Sequence, residues 1–459
     1  MDACDIAIVG AGAAGLTAAI FAGEICRRSK TAGGHRRIVI LDGAAPLGAK
    51  ILISGGGRCN VTHDEVSYQD FNGSGPVIRN VLAAFNVEAA RRWFAALGVE
   101  LKREEGGKLF PVTDSARTVL AALLRRCDQL AIEVRAGQRV QAVRGTGSSC
   151  SASFVIEHAC GLLRAERVIL ATGGRSLPRT GSDGGGWRIA QSLGHQVTET
   201  YPALVPLVLQ TEMFHTELAG VSQVVELSTF ADGARIDRRT GSLLWTHFGV
   251  SGPVVLDASR HWVIANARGQ RAEMRCHFLP GWSFEQVEEW MQAGASERPR
   301  MSVGRYLAQR LPERAAAAVA GRAQCDPKTA LGQLARKKRQ ALVHTLTAFS
   351  LPVERDRGWN FAEVTAGGVP LHEIDYRTMQ SRMVSGLYLV GEMLDCDGRI
   401  GGFNFQWAWA TGYLAGCAAA HAACAAEAGC SDATSPDRAG PAPTAEPGAR
   451  FAGSSGPRR

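Results

Sequence analysis

The chain has no Cys-x-x-Cys pair and no Cys/His group at zinc spacing, although 12 of its 459 residues are cysteine. A zinc ribbon, a disulfide scaffold and a thioredoxin-type redox pair are therefore excluded, and scattered thiols in a chain of this size fit a reducing cytosol. A cationic stretch ahead of an apolar run is missing at the start. MDACDIAIVG carries two acids, so no secretory signal is expected. A membrane-length apolar run is missing as well: LAGCAAAHAACAAEAG is short and carries His421 and Glu427. GAKILIS is no phosphate loop of the Walker type, because no Gly-Lys-Ser/Thr follows its glycines. No internal repeat is present. A large excess of one charge is also lacking: 51 Lys and Arg against 43 Asp and Glu leave +8, with a pI near 9.0. Such a mild excess fits plain solubility and leaves an anionic partner open. These features point to a soluble cytoplasmic protein with no membrane and no metal.

What is present is enough apolar residue, 46%, for a large core, and enough length for two or three domains. DIAIVGAGAAGLTAAIFAGEICRR reads as strand, tight turn and helix, and RRIVILDG as a second buried strand ending at Asp42. This β-α-β start predicts a parallel, doubly wound sheet of the α/β class. VEAARRWFAALGV and SARTVLAALLRRCDQL read as amphipathic helices, and SASFVIEHACGLLRAERVILATGG as strand, turn, strand. After Gly194 the texture changes. ALVPLVLQTE, VSQVVELSTF, GSLLWTHFGVSGPVVL and RAEMRCHFLPG read as separate β segments, and Ser283 to Ala341 as helical and charged. SGLYLVGEMLDCDGRIGGFNFQWAWATGYLAG returns to strand, Gly-rich turn and helix. The expected organisation is a discontinuous nucleotide-binding domain (1–195 and 355–422), a β-rich insert (196–279 and 341–354) and a small basic helical module (280–340). A disordered tail is expected from 423 to 459.

Gly10, Gly12 and Gly15 form Gly-x-Gly-x-x-Gly between the first strand and its helix. Gly10 permits the tight turn, Gly12 lets a pyrophosphate approach the backbone, and Gly15 lets helix and strand pack. The phosphates then meet the unpaired N–H groups of the helix N-terminus. Asp42 is placed to accept hydrogen bonds from ribose hydroxyls. It stands 27 residues past Gly15 where about 20 is usual, and the loop Ser29–Arg37 takes up the difference. Gly391 and Glu392 end a late strand, and Gly401, Gly402 and Asn404 open another helix. A second helix N-terminus beside the cofactor suits an anionic reduced flavin, which favours FAD over NAD. With no second Gly-x-Gly-x-x-Gly after a strand, a separate NAD(P)H domain is not evident.

DIAIVGAGAAGL, LGAKILISGGGRCNVT, GGKLFPVTDSA, VILATGGRSLPRTGSDGGGWRIAQSLGH, LLWTHFGVSGPVVL, TAGGV and GLYLVGEMLDCDGRIGGFNFQWAWATG together resemble the bacterial BaiN/RdsA-type FAD flavoproteins. The match runs in order from about Ile6 to Gly416. The resemblance implies a glutathione-reductase-like FAD domain with an inserted β-barrel-like module and a small helical module. It implies FAD contacts at Gly10, Gly12, Ala14, Gly15, Asp42, Lys50, Ser54, Gly55, Gly56, Gly57, Arg58, Asn60, Thr172, Gly173, Gly391, Glu392, Asp395, Gly401, Gly402 and Asn404. NAD(P)H is the expected electron donor, although no feature of the sequence names it. Asp42 departs from the family, in which Glu is usual. Members include a bile-acid double-bond reductase, an aminoacetone oxidase and a dihydrouridine synthase acting on large-subunit ribosomal RNA. The family therefore fixes cofactor and fold better than substrate.

Within GAKILISGGGRCNVT, the apolar run reads as a strand ending in Gly55, Gly56 and Gly57, followed by Arg58, Cys59 and Asn60. The glycines would let backbone lie against the flavin or its pyrophosphate, and Arg58 would contact phosphate or hold the loop. Cys59 has two readings, a small packing residue or the acid that delivers a proton while flavin N5 delivers hydride. His247 is the rival donor, with a structural role in the insert as its alternative. Lys50 and Arg58 are further candidates for holding substrate charge. Three functions stay open: reduction of uridine in ribosomal RNA, oxidoreduction of a small enone or amine, and a non-catalytic, flavin-stabilised RNA-binding protein. From Pro280 to Thr345 eleven Lys/Arg face six Asp/Glu, densest at Arg336–Arg339. A basic helical insert is a plausible backbone clamp, with a solvated helix face as its plain alternative, and the family resemblance places ribosomal RNA first.

Overall fold

The computed structural model describes residues 2–29, 36–146 and 153–428. The first strand, Asp2–Val9, pairs in parallel with Ile38–Leu41 on one side and Gly161–Leu170 on the other. Glu133–Arg135 extends the sheet beyond Ile38–Leu41, and Leu387–Leu389 extends it beyond Gly161–Leu170. These are the doubly wound strands that the β-α-β start predicts. They read as unbroken Val, Ile and Leu runs because helices cover both faces of such a sheet.

Two long helices pack on this sheet, Ala13–Arg28 and Phe403–Ala428. Their backbones touch. A Cβ on Gly412 would stand 2.5 Å from Ala14 O, and one on Gly416 would stand 2.3 Å from Ala18 O. Side chains at those two positions would push the helices apart. Glycine there fixes where both helix N-termini point, which is the carboxyl end of the sheet.

The segment between Tyr201 and Asp356 builds the second half of the molecule. Ser222–Ala231 and Ala234–Thr246 form its central hairpin, flanked by Ala272–His277 on one side and Gly249–Ser251 on the other. The two outer strands of this seven-stranded sheet, Phe349–Leu351 and Val353–Asp356, are consecutive in sequence, separated only by Pro352. A sheet whose two edges are neighbours in the chain must curl towards closure, which gives the barrel-like form. Helices Phe284–Glu297, Val303–Leu307, Glu313–Arg322 and Arg336–Ala348 follow the expected helical stretch. They share one continuous apolar cluster with the curled sheet, from Val225 and Trp245 through Met291 to Leu346.

Two local expectations fail. The run Ala49–Gly57 is helical at its start, not a strand; it breaks at Ser54, and Gly55 and Gly56 turn left-handed at φ 55° and 69°. PVVL belongs to the helix Pro253–Ala267, not to a strand. Proline at the first helical turn, after Gly252 at φ 93°, starts that helix. The helix Phe403–Ala428 runs on through 423–428, the first six residues of the expected disordered tail, and the rest of that tail, from 429 onward, lies outside the described residues.

Candidate functional site

A cleft of about 740 Å³ runs along the carboxyl ends of the parallel strands, lined by Val9, Leu41 and Ala171 at its floor. That is where ligands of doubly wound sheets bind. Gly10, at φ 109°, has no room for a side chain: a Cβ would meet Ala171 O at 2.4 Å. A Cβ on Gly15 would meet Gly10 O at 1.9 Å, so this glycine lets helix and strand pack. Gly12 differs, because nothing lies within 4 Å of its Cβ position. The space beside it opens to the cleft at the N-terminus of Ala13–Arg28, which carries no side-chain cap and no acid in its first turn. That is a cradle for an anion. Asp42 accepts hydrogen bonds from Ala11 N (2.6 Å) and Ala44 N (2.8 Å), which fixes its carboxylate at the mouth of this turn.

At the other end lie Ser54, Gly55, Gly56, Arg58 and Asn60, with Gly391, Glu392, Gly401, Gly402 and Asn404 opposite. Asn404 closes the Gly-rich turn on itself, accepting from Gly398 N (2.8 Å) and donating to Gly398 O (2.9 Å). Lys50 is bonded to Glu392 and to Ser176 Oγ (2.6 Å), and Glu392 also accepts from Thr365 N (3.0 Å). Arg58 holds the loop: it pairs with Glu104 at 2.8 Å and lies over the Phe110 ring at 4.0 Å. Ala14, Thr172 and Gly173 also line the cleft. The structure thus brings together most of the residues that the sequence pointed to.

Five of them fall elsewhere. Gly15 and Gly57 shape the backbone without lining the cleft. Asp395 accepts from Thr198 Oγ1 at 3.3 Å outside the lining, and burial pushes its carboxyl pKa up. Cys59 is fully buried in the apolar cluster of the parallel-sheet domain, at φ 60° behind the glycine loop, and burial pushes its thiol to about 12. That is the place of a packing residue. His247 sits exposed on the turn before Gly249–Ser251, against Phe248, and does not line the cleft.

The cleft also holds groups that sequence reasoning passed over. Of its carboxylates, Asp42 and Glu392 are bonded as above and Asp183 pairs with Arg139 at 2.6 Å. Glu363 is the one left without a side-chain hydrogen bond or ion pair among the described residues. Its residue is exposed where it lines the cleft. Desolvation by the surrounding protein pushes its carboxyl pKa up against the pull of Lys50 and Lys108, with Asp257 adding to the rise. A second hollow, about 1600 Å³, lies between the sheet domain and the insert, and shares Lys108, Pro253, Arg399 and Ile400 with the cleft. No signal within the sequence marks this junction.

The family model described as HI0933-like protein Rossmann domain matches residues 4–418. The chain belongs to this family. It is 33% identical to a 3-dehydro-bile acid delta(4,6)-reductase of Clostridium scindens over 416 residues, 90% of this chain and 98% of that protein. It is 32% identical to a ribosomal RNA dihydrouridine synthase of Escherichia coli strain K12, covering 90% and 97%. The E. coli quinol fumarate reductase subunit FrdA shares the fold, with a TM-score of 0.50 at 18% identity, over 94% of this chain and 74% of that one. The protein is an FAD-dependent oxidoreductase with a glutathione-reductase-like Rossmann domain. The residues fit the cofactor: an open cradle at Gly12, an acid at Asp42, and in Asn60 a buried Oδ1 without a partner among the described residues. No helix among the described residues is long and apolar enough to cross a membrane, and none of their His, Cys, Asp and Glu group as a metal site.

Proposed function

We propose that the protein reduces a carbon–carbon double bond conjugated to a carbonyl, with uridine in ribosomal RNA as the first substrate and NAD(P)H as the electron source. Bound FAD, once reduced, would supply a hydride. The observation that carries the reading is the junction of cleft and hollow at Lys108 and Arg399. It supports a route by which a substrate larger than the cleft meets the cofactor's end while staying seated in the hollow. The names of the two relatives share one chemistry, the addition of two hydrogens to such a bond. Here Lys50 with Glu392 would hold the cofactor's middle, Gly12 and Ala13 its phosphates, and Asp42 its ribose. Arg399, tied to Asp257 (3.4 Å) and Asp70 (3.3 Å), would close the junction from the side of the insert.

RNA is favoured over a steroid by the helix Arg336–Ala348. Its first turn carries Arg336, Lys337, Lys338 and Arg339, with no acid and no cap. Cations at the positive end of a helix cost stability. A sequence tolerates such a cost where an anion is to be met. Arg339 is already paired with Glu288 at 2.8 Å, which leaves three exposed cations for phosphate. Mass spectrometry of ribosomal RNA from a deletion strain tests the reading. Loss of a two-hydrogen increment on one uridine supports it, and unchanged RNA with retained enone reduction turns it to the small-molecule substrate.

A further inference from the structure

The ionisable side chains that line the cleft are almost all tied up. Asp42 is held by backbone N–H groups, Lys50 by Glu392, Arg58 by Glu104, Arg139 by Asp183, and Arg399 by Asp257 and Asp70. Burial pushes the Cys396 thiol well up. Two remain with no side-chain hydrogen bond or ion pair among the described residues, Glu363 and Lys108. They carry opposite charge and lie within electrostatic reach of each other. Lys108 stands where the cleft joins the hollow. An ionisable pair of opposite sign left without partners in a cofactor-sized cleft is a candidate functional pair.

We propose that Glu363 is the acid that protonates the substrate and that Lys108 faces the substrate carbonyl oxygen. The assignment rests on the double-bond reductase reading given above. In the step, a hydride supplied by FAD reduced with two electrons joins the carbon β to the carbonyl. The proton of the Glu363 carboxyl joins the α carbon. The π bond breaks, two C–H bonds form, and Glu363 is left as a carboxylate that water in the hollow reprotonates. Negative charge collects on the carbonyl oxygen as hydride arrives, and the Lys108 ammonium is placed to stabilise it.

The groups that face Glu363 are Lys50 from the helix that begins at Ala49, Lys108 from the strand Lys108–Pro111, and Asp257 from the helix Pro253–Ala267. Burial outweighs the two lysines, so the carboxyl stays protonated to higher pH than an ordinary glutamate. Turnover then falls as pH rises through that raised value. Glu363→Gln should remove this limb and slow reoxidation of the reduced enzyme by substrate about 10²–10⁴-fold. Lys108→Met should also slow reoxidation but keep the limb, shifted to higher pH because a charge that favours the carboxylate is gone.

The experiment reduces FAD-loaded enzyme with dithionite under anaerobic conditions. It follows flavin absorbance after mixing with a conjugated steroid enone or with a uridine-containing ribosomal RNA fragment, from pH 5 to 9. FAD affinity and thermal stability of each variant are measured alongside. The folded-state pKa of Glu363 is raised, so its ionisation destabilises the native state as pH rises from the unfolded value through the folded one. Glu363→Gln should therefore be the more stable protein above that range, with FAD affinity unchanged. Reoxidation of Glu363→Gln at the wild-type rate with an unaltered pH profile overturns the assignment alone. Wild-type enzyme that neither oxidant reoxidises overturns the reductase reading and this assignment together.

Discussion

Gly12 and Gly15 lie three residues apart in one motif, and the structure gives them opposite failure modes. Ala at position 15 would place its Cβ 1.9 Å from Gly10 O, where ordinary contact begins near 3.4 Å. The helix Ala13–Arg28 would have to back away by about 1.5 Å, and its partner across the interface, Phe403–Ala428, is packed too closely at Gly412 to allow it. Overpacking of this kind costs about 1–3 kcal/mol. For a domain of this size that lowers the melting temperature of the FAD-free protein by about 2–10 °C. Ala at position 12 meets no protein atom within 4 Å, and Gly12 has φ −81°, which any residue adopts. The FAD-free protein should melt at the wild-type temperature or slightly above, since the substitution reduces the freedom of the unfolded chain. The new methyl, however, stands in the phosphate cradle. The same 1–3 kcal/mol, now charged to the complex, weakens FAD binding by about 5–150-fold. Differential scanning fluorimetry of both FAD-free variants, with FAD titration by fluorescence quenching, separates the two. A Gly12→Ala protein that binds FAD as tightly as wild type would refute the placing of the phosphates. A Gly15→Ala protein with unchanged melting temperature would refute the packing argument.

Cys59→Ala should keep its turnover per bound flavin, because the thiol is walled off from the cleft, and lose about 1 kcal/mol of stability, measured by urea unfolding. A drop of a hundredfold in substrate reoxidation would restore Cys59 as an acid. Arg336, Lys337 and Lys338 changed together to Ala should leave the flavin spectrum intact and reduce the salt slope of RNA binding by about 2–3 units, one phosphate for each freed cation. Adding Arg339→Ala should contribute destabilisation through Glu288, left with Gln292 but no cation beside it, more than any further change in slope. Lys50→Met should strand the half-buried Glu392 carboxylate and weaken FAD retention in gel filtration, whereas Lys50→Met combined with Glu392→Gln should recover part of the lost stability.

The phosphate cradle was legible in the sequence because all of its parts are local: strand, three glycines, helix, second strand and terminal acid follow one another in the chain. The run Lys50–Ser54 misleads because its three apolar residues, Ile51 to Ile53, fit a buried strand and one face of a short helix equally well. Only its packing against the helix Ala116–Gln129 and the left-handed glycines that follow decide the matter. PVVL failed for the same reason, with proline marking a helix start there and not a strand break. Cys59 and Glu363 show the deeper limit. A thiol beside three glycines looks reactive in sequence, but its reactivity depends on which way the loop folds, and Gly55 and Gly56 turn it into the core. Glu363 sits between Ala362 and Val364 with nothing in its neighbourhood to mark it. Its distinction is that every other carboxylate in the cleft has a partner while it has none among the described residues. That property belongs to Lys50, Glu104, Arg139 and Lys108 as much as to Glu363, and only the folded chain brings them to one place.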